Sequence, residues 1–124
     1  MGVKKKILVV EDSAYWQSVL KEILNEFEVI VTAEGKNAGA IFKKNKDTAL
    51  VIIGSHWPNV NGLKIASQIK EINRKIPVIM FIEFTESSHR DFLRSEADFC
   101  VPKVSELTLK IKKEILKKIK TIIK

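Results

Sequence analysis

Residues 6–12 read KILVVED: four aliphatic side chains in a row, entered from a lysine and stopped by an adjacent Glu11-Asp12 pair. A strand with one face in water alternates apolar and polar residues. An unbroken apolar run instead fits a strand covered on both faces, as in a parallel sheet. Runs of the same kind recur at 27–32 (FEVIVT), 49–53 (ALVII) and 77–82 (PVIMFI), with a weaker one at 99–101. Pro77 has no N–H to give a ladder, so it belongs at the start of its strand. Amphipathic stretches separate the runs. Ser13 is a candidate N-cap for a helix over 14–26, with Tyr15, Val19 and Ile23 spaced by fours. A shorter helix is predicted over 36–44, carrying Ala38, Ile41 and Phe42. After the Asn61-Gly62 turn, 63–72 places Leu63, Ala66, Ile69 and Ile72 on one stripe. Residues 87–95 form a short polar helix, and Ser105, with Glu106 and Thr108, opens a last helix that runs to the end.

Five strands alternating with five helices in 124 residues predict one α/β domain, 1–124, of (βα)5 type. Right-handed crossovers then give a doubly wound, five-stranded parallel sheet of the flavodoxin-like kind, order 2-1-3-4-5. In that order a ligand crevice opens at the carboxyl ends of strands 1 and 3, which here are Glu11-Asp12 and Gly54-Ser55-His56.

Composition narrows the function classes. At 45% hydrophobic the chain can build its own core, and a single cysteine, Cys100, excludes an internal disulfide and suits a reducing compartment. The apolar part of the N-terminal run is too short for a signal peptide, and no segment is long enough to span a membrane, so the expected location is the cytoplasm. A net charge of +7, from 22 Lys+Arg against 15 Asp+Glu, is read as a lysine-rich solvated surface. The alternative is a basic module that binds nucleic acid or anionic membrane through the last helix, but that helix has no arginines and few aromatics to read a groove. No nucleophile with an adjacent base is visible, so the reading is not an enzyme.

Adjacent carboxylates at the end of a buried strand ask for a counter-charge. A hard cation such as Mg²⁺ is one reason for them, and Asp12 capping the following helix is another. Four segments then match, in order and spacing, those of response-regulator receiver domains, which the chain resembles over essentially its whole length: ILVVEDS, LVIIGSHWPNVNGLKIASQIK, PVIMFIE and ADFCVPK. The resemblance implies two-component (phosphorelay) signal transduction. In that family the acidic pair binds Mg²⁺, an aspartate ending strand 3 accepts a phosphoryl group, a Ser or Thr ending strand 4 bonds it, and a lysine after strand 5 pairs with it. Carried over by position, Glu11 and Asp12 match the acidic pair and Lys103 the lysine. Counting back from Pro58 puts the acceptor at Gly54, and counting on from Pro77 puts the hydroxyl at Ile82. Neither residue has the needed group, and Val104 stands where a proline usually follows the lysine.

The resemblance therefore implies an atypical pseudo-receiver, its phosphorylation pocket degenerate (Glu11, Asp12, Gly54, Ile82, Lys103). Glu11 and Asp12 are expected to hold Mg²⁺ weakly or not at all, and Lys103 to pair with one of them. Ser55, His56, Asp98 and Thr85 are poor substitutes for the lost groups, and Trp57 is expected to cover the emptied site. Function then passes to protein–protein contact. The last helix carries an apolar arc of roughly 200°, wider than sheet packing requires. Its surplus, Leu109, Leu116 and Ile123 at heptad spacing, is the expected partner face, for another signalling protein or a second copy of the chain.

Overall fold

The opening apolar run forms an interior strand. In the computed structural model, which describes residues 4–56, 60–83 and 85–123, strand β1 (Lys6–Glu11) lies between β2 (Glu28–Thr32) and β3 (Thr48–Gly54). Beyond β3 come β4 (Val78–Glu83) and the edge strand β5 (Phe99–Lys103). The sheet is parallel throughout, in the order β2-β1-β3-β4-β5, as the pattern predicts. β1, β3 and β5 run one to two residues further than expected and take in Glu11, Gly54 and Lys103. The register sets Glu11 beside Gly54, and Glu83 beside Lys103.

Five helices cover the sheet: α1 (Ala14–Ile23), α2 (Ala38–Lys44) after a 3-10 turn at Gly35–Asn37, α3 (Gly62–Ile72), α4 (Glu86–Arg94) and α5 (Leu109–Ile123). Alternation along the strands divides the core between the two faces. Ile7, Val9, Leu50, Ile52, Ile79, Phe81 and Val101 pack with Val19, Leu20 and Ile23 of α1 and Ile115 and Ile119 of α5. Leu8, Val10, Val51, Ile53 and Val78 pack on the other face with Ala38 and Phe42 of α2 and Ile65, Ala66 and Ile69 of α3. Each Val, Leu, Ile or Phe among them taken fully out of water contributes roughly 1.5–3 kcal/mol.

The helices depart from expectation in their stripes and ends. Tyr15 is 58% exposed, and the inner face of α1 is Trp16, Val19, Leu20 and Ile23, spaced by threes and fours. Residue 15 lies about 100° around the helix from residue 16, enough to turn it to solvent. In α3 the buried stripe is Ile65, Ala66 and Ile69, while Ile72 emerges. The last helix starts at Leu109, not at Ser105. The Oγ1 of Thr108 accepts from the Ile111 N–H at 3.2 Å and its carbonyl from the Lys112 N–H at 3.0 Å, so Thr108 is the residue that caps. Ser13, Asn61 and Thr85 cap α1, α3 and α4 in the same way, accepting from the Trp16, Lys64 and Ser88 N–H groups.

The exposed edge is blunted. Pro102 removes a donor from β5, and the Lys118 ammonium bonds the Cys100 carbonyl at 3.3 Å, so β5 is a poor template for a further strand. Among the described residues no helix is long and apolar enough to cross a membrane.

Candidate functional site

Period-two alternation turns Glu11, Gly54 and Lys103 to the same face of the sheet, the one that carries α1 and α5. There the structure joins them. The Glu11 carboxylate is fully buried, and its Oε1 lies 2.8 Å from the Lys103 Nζ, whose side chain is 5% exposed. Its Oε2 accepts from the Ser13 N–H at 3.0 Å, and its own carbonyl from the Gln17 side-chain amide at 2.6 Å. Lys103 is boxed by aromatics: its Nζ stands 5.7 Å from the centre of the Trp16 ring and 5.6 Å from that of Phe81. Those two rings meet edge to face, 5.2 Å apart. Cation–π attraction of this kind contributes about 1–2 kcal/mol when water is excluded.

The ion pair is close without being a well-aligned hydrogen bond, since among the described residues Oε1 has no hydrogen-bond partner of good geometry. Burial pushes the Glu11 carboxyl above its ordinary value. The Lys103 ammonium and the Ser13 N–H pull it back, and the Asp12 charge adds a smaller upward push. Pairing inside an apolar box is what keeps the charge tolerable, because an isolated buried carboxylate would be far more costly.

Gly54 is integral to this arrangement. A Cβ at that position would overlap the Glu11 Oε1 and stand 2.6 Å from its Cδ, so the carboxylate occupies space that any other residue at 54 would fill. The site the sequence reading describes as emptied is filled from strand 1.

The other expected residues fall elsewhere. Ile82, one residue beyond Phe81, faces the opposite side of the sheet. With Glu83, Thr85, Glu86, His89, Cys100 and Pro102 it lines a separate cavity of about 490 Å³ beside α4. Burial pushes the Cys100 thiol there above its ordinary value. Ser55 and His56 hold the loop after β3. The Ser55 Oγ accepts from the Gly62 N–H at 3.2 Å, and the His56 backbone exchanges bonds with Val60 at 2.9 and 2.8 Å. Asp98 is a strut: its Oδ2 accepts from the buried Lys70 ammonium at 2.7 Å and from the Val78 N–H at 2.9 Å. Trp57 and Pro58 lie outside the described residues. On α5, Leu109 is 67% exposed, whereas Leu116 and Ile123 are half-buried against the α1–α5 core. Packing on the sheet buries Ile115 and Ile119 of the apolar arc.

The pocket can be tested for the divalent ion the acidic pair implies. Mg²⁺ requires near-octahedral oxygen ligands. Here one Glu11 oxygen faces an ammonium, the other takes a backbone N–H, and no carboxylate stands at 54. Among the described residues no three His, Cys, Asp or Glu side chains are grouped to hold a metal. The donor set does not fit such an ion. Trp16, Phe81 and the Ser13 N–H are members of the site that sequence reasoning missed. The Ser13 cap was a signal for the last, but nothing in local spacing says that two aromatics flank Lys103.

Comparison with known proteins decides the family. The response regulator receiver domain family matches residues 7–117. The chain belongs to that family, and is a receiver domain of two-component signalling. It is 30% identical to the protein-glutamate methylesterase/protein-glutamine glutaminase of Methanococcus maripaludis, over 94% of this chain but 34% of that protein. The similarity to methylesterases of this kind is confined to their receiver part, and the chain spans about a third of their length. It is 33% identical to the chemotaxis protein CheY of Bacillus subtilis, over 60% of this chain and 64% of that one. Among solved structures it is similar to the response regulator domain of Thermotoga maritima CheB, with a TM-score of 0.79, 25% identity and coverage of 97% of this chain and 96% of that one.

Proposed function

We propose that this receiver works without aspartyl phosphorylation, as a pseudo-receiver that signals through protein–protein contact in a cytoplasmic two-component pathway. One observation carries the reading: position 54 has no side chain, and the Glu11 carboxylate, already paired with Lys103, takes up the space. A glycine cannot attack a phosphoryl donor, and a fully buried carboxylate that already meets an ammonium is sheltered from one. Ser55, Asp98 and Thr85 are committed to loop, strut and cap. With Ile82 on the far side of the sheet, no hydroxyl at that position reports on the pocket.

The basic-module alternative loses ground because several α5 cations are engaged within the chain. Lys112 pairs with Glu22, Lys120 with Glu26, and Lys118 bonds the Cys100 carbonyl. Incubation with Mg²⁺ and a small phosphodonor, followed by intact mass measurement, is expected to leave the mass unchanged. A stoichiometric gain of roughly 80 Da, one phosphoryl group, refutes the proposal.

A further inference from the structure

We infer that the Lys103 ammonium is this pocket's resident cation: it holds the Glu11 carboxylate in the space a side chain at 54 would take, and so closes the crevice to divalent metal ions. The inference rests on reading Gly54 as the replaced acceptor position, and it explains why the loss is built into the pocket instead of leaving a hole.

Three observations converge. The first is the overlap itself, since a Cβ on residue 54 runs into Oε1 and Cδ of Glu11 and, among the described residues, nothing else that close. The second is that both carboxylate oxygens are committed, one to an ammonium at 2.8 Å and one to a backbone N–H at 3.0 Å. A metal ion arriving here would have to break a buried ion pair, leaving the Lys103 charge in an apolar box between Trp16 and Phe81. The third is charge: Lys103 cancels one of the two adjacent carboxylates at the strand end, which removes much of the attraction for a dication.

The same geometry says how the pocket would reopen. The atoms that a new side chain at 54 meets are the far end of a flexible glutamate, so Glu11 can swing aside while the newcomer takes over Lys103. An aspartate at 54 would then stand with the freed Glu11 and with Asp12, three carboxylates at one strand edge. Glycine at 54 and a buried Glu11–Lys103 pair are two halves of one arrangement.

The test is a titration of the whole chain with MgCl2 at constant ionic strength, followed by calorimetry and by tryptophan fluorescence, since Trp16 lies against Lys103. The wild-type protein is expected to show no saturable response up to about 20 mM, and Gly54→Asp to saturate at a concentration at least about tenfold lower. Saturable binding by the wild type overturns the inference, and so does a folded Gly54→Asp that stays as blind to Mg²⁺ as its parent. Should Gly54→Asp not fold, Lys103→Gln carries the same test, because removing the ammonium frees Glu11. A folded Lys103→Gln that gains no Mg²⁺ response overturns the inference equally. Failure here is distinct from failure of the functional reading: Mg²⁺ binding without a phosphodonor adduct overturns only the resident cation, whereas an adduct overturns the pseudo-receiver.

Discussion

Replacing Lys103 with methionine keeps most of the side-chain volume and removes one charge from an enclosure that holds two. The partner left behind, Glu11, is fully buried, and among the described residues its one remaining side-chain bond is to the Ser13 N–H. Breaking a buried pair from one side costs about 3–5 kcal/mol, because the surviving charge has lost both water and its counter-ion. For a domain of this size each kcal/mol lowers the midpoint of thermal unfolding by about 3–5 °C, so Lys103→Met should unfold about 10–25 °C below the wild type. The second leg of the cycle is Glu11→Leu with Lys103→Met, which empties the enclosure of charge. That double variant should recover most of the loss, since an apolar pair of similar volume often matches a buried ion pair.

The penalty should also depend on pH. Burial raises the folded-state pKa of Glu11 above its ordinary value, so folding takes up a proton between the ordinary and the raised value. Stability from this group is therefore highest below that window and falls as pH rises through it. Lys103 opposes the shift, so removing it widens the window. The gap between Lys103→Met and wild type should then narrow as the solution is acidified through the widened window, because the stranded carboxylate takes a proton there. Chemical denaturation at several pH values measures both quantities. A penalty below about 1 kcal/mol, or one that grows on acidification, would refute the buried-pair argument.

Three further outcomes follow from the described contacts. Asp98→Ala should cost about 2–3 kcal/mol in chemical denaturation, because it strips the buried Lys70 ammonium of its carboxylate and the Val78 N–H of its acceptor. The Cys100 thiol should react slowly with iodoacetamide near neutral pH, at a rate still climbing above pH 9.0 when followed by mass spectrometry, since burial raises its pKa above that ordinary value. Leu109→Glu should change stability by no more than about 0.5 kcal/mol, given the 67% exposure of Leu109, whereas Ile119→Ala, at 1% exposure, should cost about 2–5 kcal/mol. A pull-down in which Leu109→Glu loses a partner at unchanged stability would place that contact on the start of α5.

The order of strands was legible in the chain because burial on both sheet faces leaves unbroken apolar runs, and connections of this length admit few topologies. Glu11, Gly54 and Lys103 were legible as positions for a related reason: each ends a recognisable run, and their spacing to Pro58 and Pro77 is local. The inner stripe of α1 was less so. Tyr15 and Trp16 are adjacent aromatics, and only docking on the sheet chooses between them. The surplus apolar arc of α5 is ambiguous in the same way, because periodicity counts apolar residues without saying how much of a helix the sheet margin covers.

The parallel α/β architecture and the lack of a side chain at position 54 follow from residue type and order along the chain alone. The fate of the space at position 54 is settled by the tertiary structure. Glu11 and Lys103 are 92 residues apart in the chain. They meet because parallel register and two-residue alternation bring the ends of β1 and β5 to one face, between Trp16 and Phe81. Whether a buried carboxylate points into a gap or out of it depends on which counter-charge lies within about 3 Å, and that distance exists only in the folded sheet.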